Sequence, residues 1–121
     1  MDSRALAERL NALDQSGARF RPIHFTPTTN RYAGEVCEGL QVHVTEREAL
    51  RSVSLGLHII AAVRALHPSH FEWNAHFDRL MGAPRTREAL EVGRAPDALI
   101  AQWAGAETAF ACARAAYLLY A

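Results

Sequence analysis

Residues 20–45, FRPIHFTPTTNRYAGEVCEGLQVHVT, are the hinge of this chain's organisation. The first part, Phe20 to Thr26, mixes aromatic and β-branched residues around Pro22, and that proline confines the run to a sheet edge or a bulge. The last part, Leu40 to Thr45, alternates: Leu40, Val42 and Val44 on one side, Gln41, His43 and Thr45 on the other. That period of two predicts a strand with one apolar and one polar face. Between them Phe25 to Gly39 has neither helical nor strand periodicity, and a connection of this length in a small domain is either functional or disordered.

Working outward from this core, the strand runs into Thr45-Glu46-Arg47-Glu48, which fits a capping box, and a helix is expected from about Glu46 to Leu66. Leu50, Val53, Leu57, Ile60 and Val63 would form its apolar stripe, widened by Ile59, Ala61 and Ala62, and His67-Pro68 ends it. Upstream, Leu6, Leu10 and Leu13 share one face of a short amphipathic helix over Arg4 to Leu13, with Ser3 as N-cap and Asp14-Gln15-Ser16-Gly17 as the following turn. Downstream, the segment SHFEWNAHFDRLMG, residues 69–82, carries Phe71, Trp73, Phe77, Leu80 and Met81 and reads as an irregular turn leading into a short helix. A second short helix over Thr86 to Val92 is closed by Gly93. Ala95-Pro96-Asp97 opens the last helix, whose Ile100, Trp103, Glu107, Phe110, Arg114 and Tyr117 fall on one face, with the aromatics expected to pack inward. The order predicts an α+β domain, a small sheet of at least two strands (about 20–26 and 40–45) covered by several helices.

With 121 residues, half of them hydrophobic and 21% charged, the chain suits one folded domain with a real core. Thirteen basic and thirteen acidic residues cancel, which removes any general electrostatic case for nucleic acid or an anionic membrane. All the basic residues are Arg, scattered rather than clustered. No apolar run is long enough to span a bilayer, and the polar, amphipathic start MDSRALAERL is not a signal peptide, so a soluble chain is expected. Cys37 and Cys112 have no paired spacing. A disulfide between them stays open, and two buried thiols are the favoured state.

Residue chemistry alone does not assemble an active site. His67, His70 and His76 straddle a proline break without a metal-binding spacing, and His58 sits beside the apolar stripe as a core or boundary residue. His24 and His43 could meet across the strands with Gln41 beside them, on a polar face that a neighbouring domain would cover. Among Glu35, Glu38, Glu46 and Glu48, the last serves as a cap and Glu46 favours the helix dipole, leaving Glu35 as the plausible acid or ligand. Neither a metal nor a cofactor is implied.

The same central stretch resembles the C-terminal domain of the exo-β-N-acetylmuramidases, the NamZ or YbbC-like family. The matching residues are Phe20, Pro22, Phe25, Pro27 and Thr28, the cluster Tyr32, Gly34, Cys37 and Gly39, and then Val44 and Thr45. The likeness continues through Phe71-Glu72-Trp73 and Phe77-Asp78-Arg79-Leu80 and closes on Tyr117-Leu118-Leu119-Tyr120, so it covers nearly the whole chain. Departures are Glu46 for the usual Asp, Ser52 for the usual Pro, and Arg31 for the frequent Lys.

The resemblance implies peptidoglycan metabolism. Family members release N-acetylmuramic acid from the non-reducing ends of cell-wall glycans. Their Rossmann-like N-terminal domain carries the residues assigned to catalysis, and the C-terminal domain helps form the cleft. Residues 1–121 correspond to that second part, so the chain alone is expected not to hydrolyse. Its loop from Tyr32 to Gly39 and the face around His24, Gln41 and His43 would meet the catalytic domain or line its cleft. Tyr32, Glu35 and His43 are the expected contacts. Gly34 and Gly39 allow the loop's backbone conformation, with Cys37 beside them. Two other readings are a stand-alone module for peptidoglycan fragments and a self-associating interaction domain.

Overall fold

The computed structural model describes residues 2–13, 17–29 and 31–120. Among them run α1 (Ser3–Ala12), β1 (Ala18–Phe25), β2 (Cys37–Val44), α2 (Ser52–Leu66), α3 (Ala75–Met81), α4 (Arg85–Glu91) and α5 (Pro96–Ala115). The architecture is α+β, and it divides into two compact units, Met1–Glu72 and Trp73–Ala121.

In the first unit β1 and β2 form an antiparallel pair, in register from Ala18 opposite Val44 to Phe25 opposite Cys37. A bare hairpin is marginal in water, and here α1 and α2 supply what it lacks. Leu6, Ala7 and Leu10 of α1 are buried against Ala18 and Phe20 of β1 and Leu55 and Ala62 of α2, with Leu40, Ile59, Val63 and Leu66 packed around them. Full burial of a leucine is worth about 2 kcal/mol, and Leu6 and Leu10 both reach it. Asp2, not Ser3, caps α1: its Oδ1 accepts the Ala5 N–H at 2.9 Å, while Ser3 lies in the first turn, buried.

The side chain of Asn11 fastens α1 to the sheet. Its amide donates to the Phe20 carbonyl at 2.9 Å and accepts the Phe20 N–H at 3.0 Å, so these two groups point away from β2. Antiparallel strands alternate between residues that bond their partner and residues that bond outward. Pro22, two residues on, is therefore of the outward kind, and its missing N–H breaks no rung of the ladder. The proline sits in an edge strand, as its sequence context requires.

The capping box at Thr45 does not form. Residues Arg47 to Ala49 make a turn, and α2 begins at Ser52 after Arg51, with no side-chain cap bond. The carbonyl of Gly17 accepts the N–H of Thr45 at 2.9 Å and that of Glu46 at 3.4 Å, which holds this end of β2 against the start of β1. Gly17 (φ +80°) can adopt this conformation because it has no side chain; a Cβ there would collide with the Glu46 carbonyl and lie 2.9 Å from the Leu50 nitrogen. The expected stripe of α2 is largely inside, with Leu57 2% exposed and Leu50 packed on the core. Leu55, Ile59, Ala62, Val63 and Leu66 face the core, whereas Val53 is 59% exposed. His58 is buried, and the helix ends at Leu66 with His67 as C-cap. Residues 14–16 of the expected turn lie outside the described residues.

In the second unit the Asn74 side chain caps α3 by accepting the N–H groups of His76 and Phe77, and Gly82 in the left-handed conformation ends it. At the end of α4 the Arg94 N–H reaches the Ala89 carbonyl and the Gly93 N–H that of Leu90, the Schellman closure that Gly93 permits. Arg87 ties α4 to α3, with Nε 3.0 Å from the Asp78 carboxylate and Nη1 3.1 Å from Glu91. Those acids, Asp78 first, hold its guanidinium more firmly protonated.

The inward aromatic face expected of α5 is found only in its first half, where Ile100 and Trp103 are half-buried. Leu99 is its one buried residue among those described, while Phe110 is 67% exposed and Tyr117, beyond the helix end at Ala115, is 84% exposed. A seven-residue α4 spans about 10 Å and a twenty-residue α5 about 30 Å, so the second half of α5 runs past the helix it packs on.

Candidate functional site

The described part of the connection between the strands forms a hydrogen-bonded hairpin tip. Strand β2 begins at Cys37, three residues earlier than the alternating pattern suggests, which shortens the loop. Within it the Gly34 N–H donates to the Pro27 carbonyl at 2.9 Å, and the Glu35 N–H to the Tyr32 carbonyl at 3.1 Å. Gly34 has φ +81°, so the glycine is what lets the chain reverse there. The result presents Tyr32, Glu35 and Val36 to solvent. The Arg31 guanidinium lies 5.5 Å from the centre of the Tyr32 ring, an exposed cation–π pair. Cys37 leans its Sγ toward the Glu35 carbonyl at 3.8 Å.

The register separates His24 from His43. Residues directly opposite share a face, and His24 is opposite Glu38 while His43 is opposite Arg19. His24 therefore lies on the α1 side. His43 and Gln41 lie on the outer side together with Arg19 and Arg21, all of them exposed. On this outer face Phe25 lays its ring over Gly39, where a Cβ would come within 2.8 Å of it. Gly39 thus makes room for an aromatic side chain; a positive φ is not its purpose.

His24 finds Glu38 instead, with Nε2 3.5 Å from Oε1. The other carboxylate oxygen accepts the Ser3 N–H at 3.2 Å, at the start of α1. The Ser3 N–H, and after it His24, hold the Glu38 carboxyl below the ordinary carboxylate range. Asp2, Arg4 and Pro22 complete a cleft of ≈ 250 Å³ around this pair. Glu38 is the residue that composition and spacing passed over; it lies outside the predicted strand 40–45, and only the observed register sets it opposite His24.

No group of three His, Cys, Asp or Glu side chains is placed to hold a metal among the described residues. His70 Nδ1 sits 3.0 Å from its neighbour Ser69. Both cysteines are free thiols, and neither is buried: Cys37 is half-buried and Cys112 exposed. No helix among the described residues is long and apolar enough to cross a membrane.

Comparison with known proteins places these features in a family. The model for the C-terminal domain of the exo-β-N-acetylmuramidase NamZ matches residues 1–120. The chain is 34% identical over 120 residues to the peptidoglycan β-N-acetylmuramidase NamZ of Bacillus subtilis (strain 168), a match covering 98% of this chain and 29% of the relative. Its fold superposes with a TM-score of 0.88 on the crystal structure of a DUF1343 family protein from Bacteroides fragilis NCTC 9343. That match, at 23% identity, covers the whole of this chain and 33% of the solved one. The chain thus spans about a third of the length of these proteins.

Proposed function

The chain belongs to the family of NamZ C-terminal domains, and from that premise we propose that it is the accessory, cleft-forming part of a peptidoglycan exo-β-N-acetylmuramidase, without hydrolytic activity alone. Its partner in this reading is a Rossmann-like catalytic domain, and the substrate is a glycan ending in N-acetylmuramic acid. The observation that carries the proposal is the disposition of the carboxylates. Glycoside hydrolysis ordinarily needs two carboxyls flanking one bond. Here Glu38 is engaged by His24 and the Ser3 N–H, while Glu35 stands at the hairpin tip with no second acid paired to it among the described residues.

Two uncovered surfaces support a docking role. The outer sheet face presents Arg21, Gln41 and His43 to solvent, with Tyr32 and Glu35 at the hairpin tip beyond it. The end of the chain exposes Phe110, Tyr117, Leu119 and Tyr120. Tyr32, Glu35 and His43 are the contacts proposed for the catalytic domain or the bound glycan.

The test is a hydrolysis assay with a chromogenic N-acetylmuramic acid glycoside, run on the purified chain. No turnover above buffer is expected. Turnover that disappears in Glu35→Gln would overturn the accessory reading. Light scattering with the N-terminal portion of the Bacillus relative then checks docking: Tyr32→Ala and His43→Ala should weaken association without unfolding the chain.

A further inference from the structure

The second unit contains a concavity that the docking role does not use. A groove of ≈ 310 Å³ lies between α4 and α5, with Arg85, Arg94 and Gln102 at its walls, Trp103 along one side, and Thr86 and Leu99 in its lining. Thr86 and Leu99 are each 5% exposed, so the floor is packed protein. The volume is at the lower end of the range for small-molecule sites, enough for one ring and a substituent.

The charges in this groove are all of one sign. No carboxylate lines it. The acids of α4, Glu88 and Glu91, are drawn to Arg87, as is Asp78 of α3. Neither Arg85 nor Arg94 has an ionic partner among the described residues. Two guanidinium forks are suited to a planar oxyanion and hold it in a fixed orientation. A tryptophan beside them offers an apolar face, of the kind on which sugar rings and aromatic rings lie.

We propose that this groove binds a small carboxylate with an attached ring, the carboxylate between Arg85 and Arg94 and the ring against Trp103. The site stands on the groove itself. Only the choice of sugar probe rests on the proposed function, since N-acetylmuramic acid differs from N-acetylglucosamine by one ether-linked lactic acid carboxylate.

The experiment titrates the chain with N-acetylmuramic acid, N-acetylglucosamine and benzoate, following the indole N–H resonance of Trp103 by NMR. Saturable shifts are expected with the two carboxylates and none with N-acetylglucosamine. Arg94→Gln and Arg85→Gln should each weaken carboxylate binding about tenfold or more, with circular dichroism confirming that they fold. Binding of benzoate but not of N-acetylmuramic acid supports the site and refutes the sugar as its occupant. Equal binding of N-acetylglucosamine, no saturable shift with either carboxylate, or affinities indifferent to both arginine substitutions would overturn the site. Each of those results leaves the hairpin docking reading standing, because that reading is tested on residues of the other unit.

Discussion

Replacing Asn11 with alanine removes the two hydrogen bonds that hold the Phe20 backbone to α1, at 2.9 and 3.0 Å. Phe20 is 5% exposed, so its N–H and C=O would lose their partners with limited access to water. An orphaned buried backbone group costs about 1–3 kcal/mol. Both bonds are only partly buried, which places the pair near the lower end, at roughly 2–3 kcal/mol. Against a whole-domain stability of about 5–15 kcal/mol that is a large fraction. It corresponds to a fall in Tm of about 10–20 °C for a unit of this size. Urea unfolding followed by far-UV circular dichroism should show a lower midpoint at unchanged m-value. Hydrogen exchange should show the Phe20 amide losing protection first. Asn11→Asp keeps the acceptor but sets a second oxygen against the Phe20 carbonyl, so its loss should be comparable at neutral pH. If Asn11→Ala costs less than about 0.5 kcal/mol while the Phe20 amide stays protected, the clamp is not what binds helix to sheet, and the account of the β1 edge fails.

Four further outcomes follow from the same geometry. Gly17→Ala forces a side chain into a left-handed conformation against the backbone of Glu46 and Leu50, and should lower stability by about 2 kcal/mol or more in thermal unfolding. Gly39→Ala meets only the movable ring of Phe25, so the same measurement should show a clearly smaller loss. Thr45→Ala and Glu48→Ala should each change stability by less than about 0.5 kcal/mol, where a working cap would cost about 1 kcal/mol; a loss of that larger size would restore the capping box. The Glu38 carboxyl is lowered in the folded state, so its contribution is present in full above the unfolded carboxylate range, about pH 5, and is lost as pH falls through the folded value. Glu38→Gln should therefore flatten the acid limb of the stability curve, and an unchanged limb would exclude this pairing as a source of it.

How legible the molecule was depends on the distance over which each feature is decided. The alternation in LQVHV predicts β2 because period two is a property of neighbouring residues, and Pro96 and Gly93 mark helix ends through their own backbone limits. Thr45-x-x-Glu48 misleads for a corresponding reason. It is a local pattern compatible with a cap, and it loses to the Gly17 carbonyl, which the chain brings in from the far end of the hairpin. His24 and His43 look alike as half-polar strand histidines, yet only the pairing register says that they occupy opposite faces and that Glu38 is the neighbour of His24. The Tyr32–Gly39 cluster was visible as a motif; its standing as a hydrogen-bonded tip needed the Pro27 carbonyl to be in place.

By itself the sequence determined the α+β class, the hairpin with its proline on an edge strand, the helix ends at Leu66 and before Gly93, and the resemblance to the family of NamZ C-terminal domains. These rest on covalent limits, short periodicities and matched motifs, all carried along the chain. The tertiary structure decided where α2 starts, which faces hold His24 and His43, which acid is already engaged, and that Phe110 in the second half of α5 stays exposed. Each of those depends on groups distant in sequence competing for one hydrogen bond or one packing surface, and only the folded chain settles that competition.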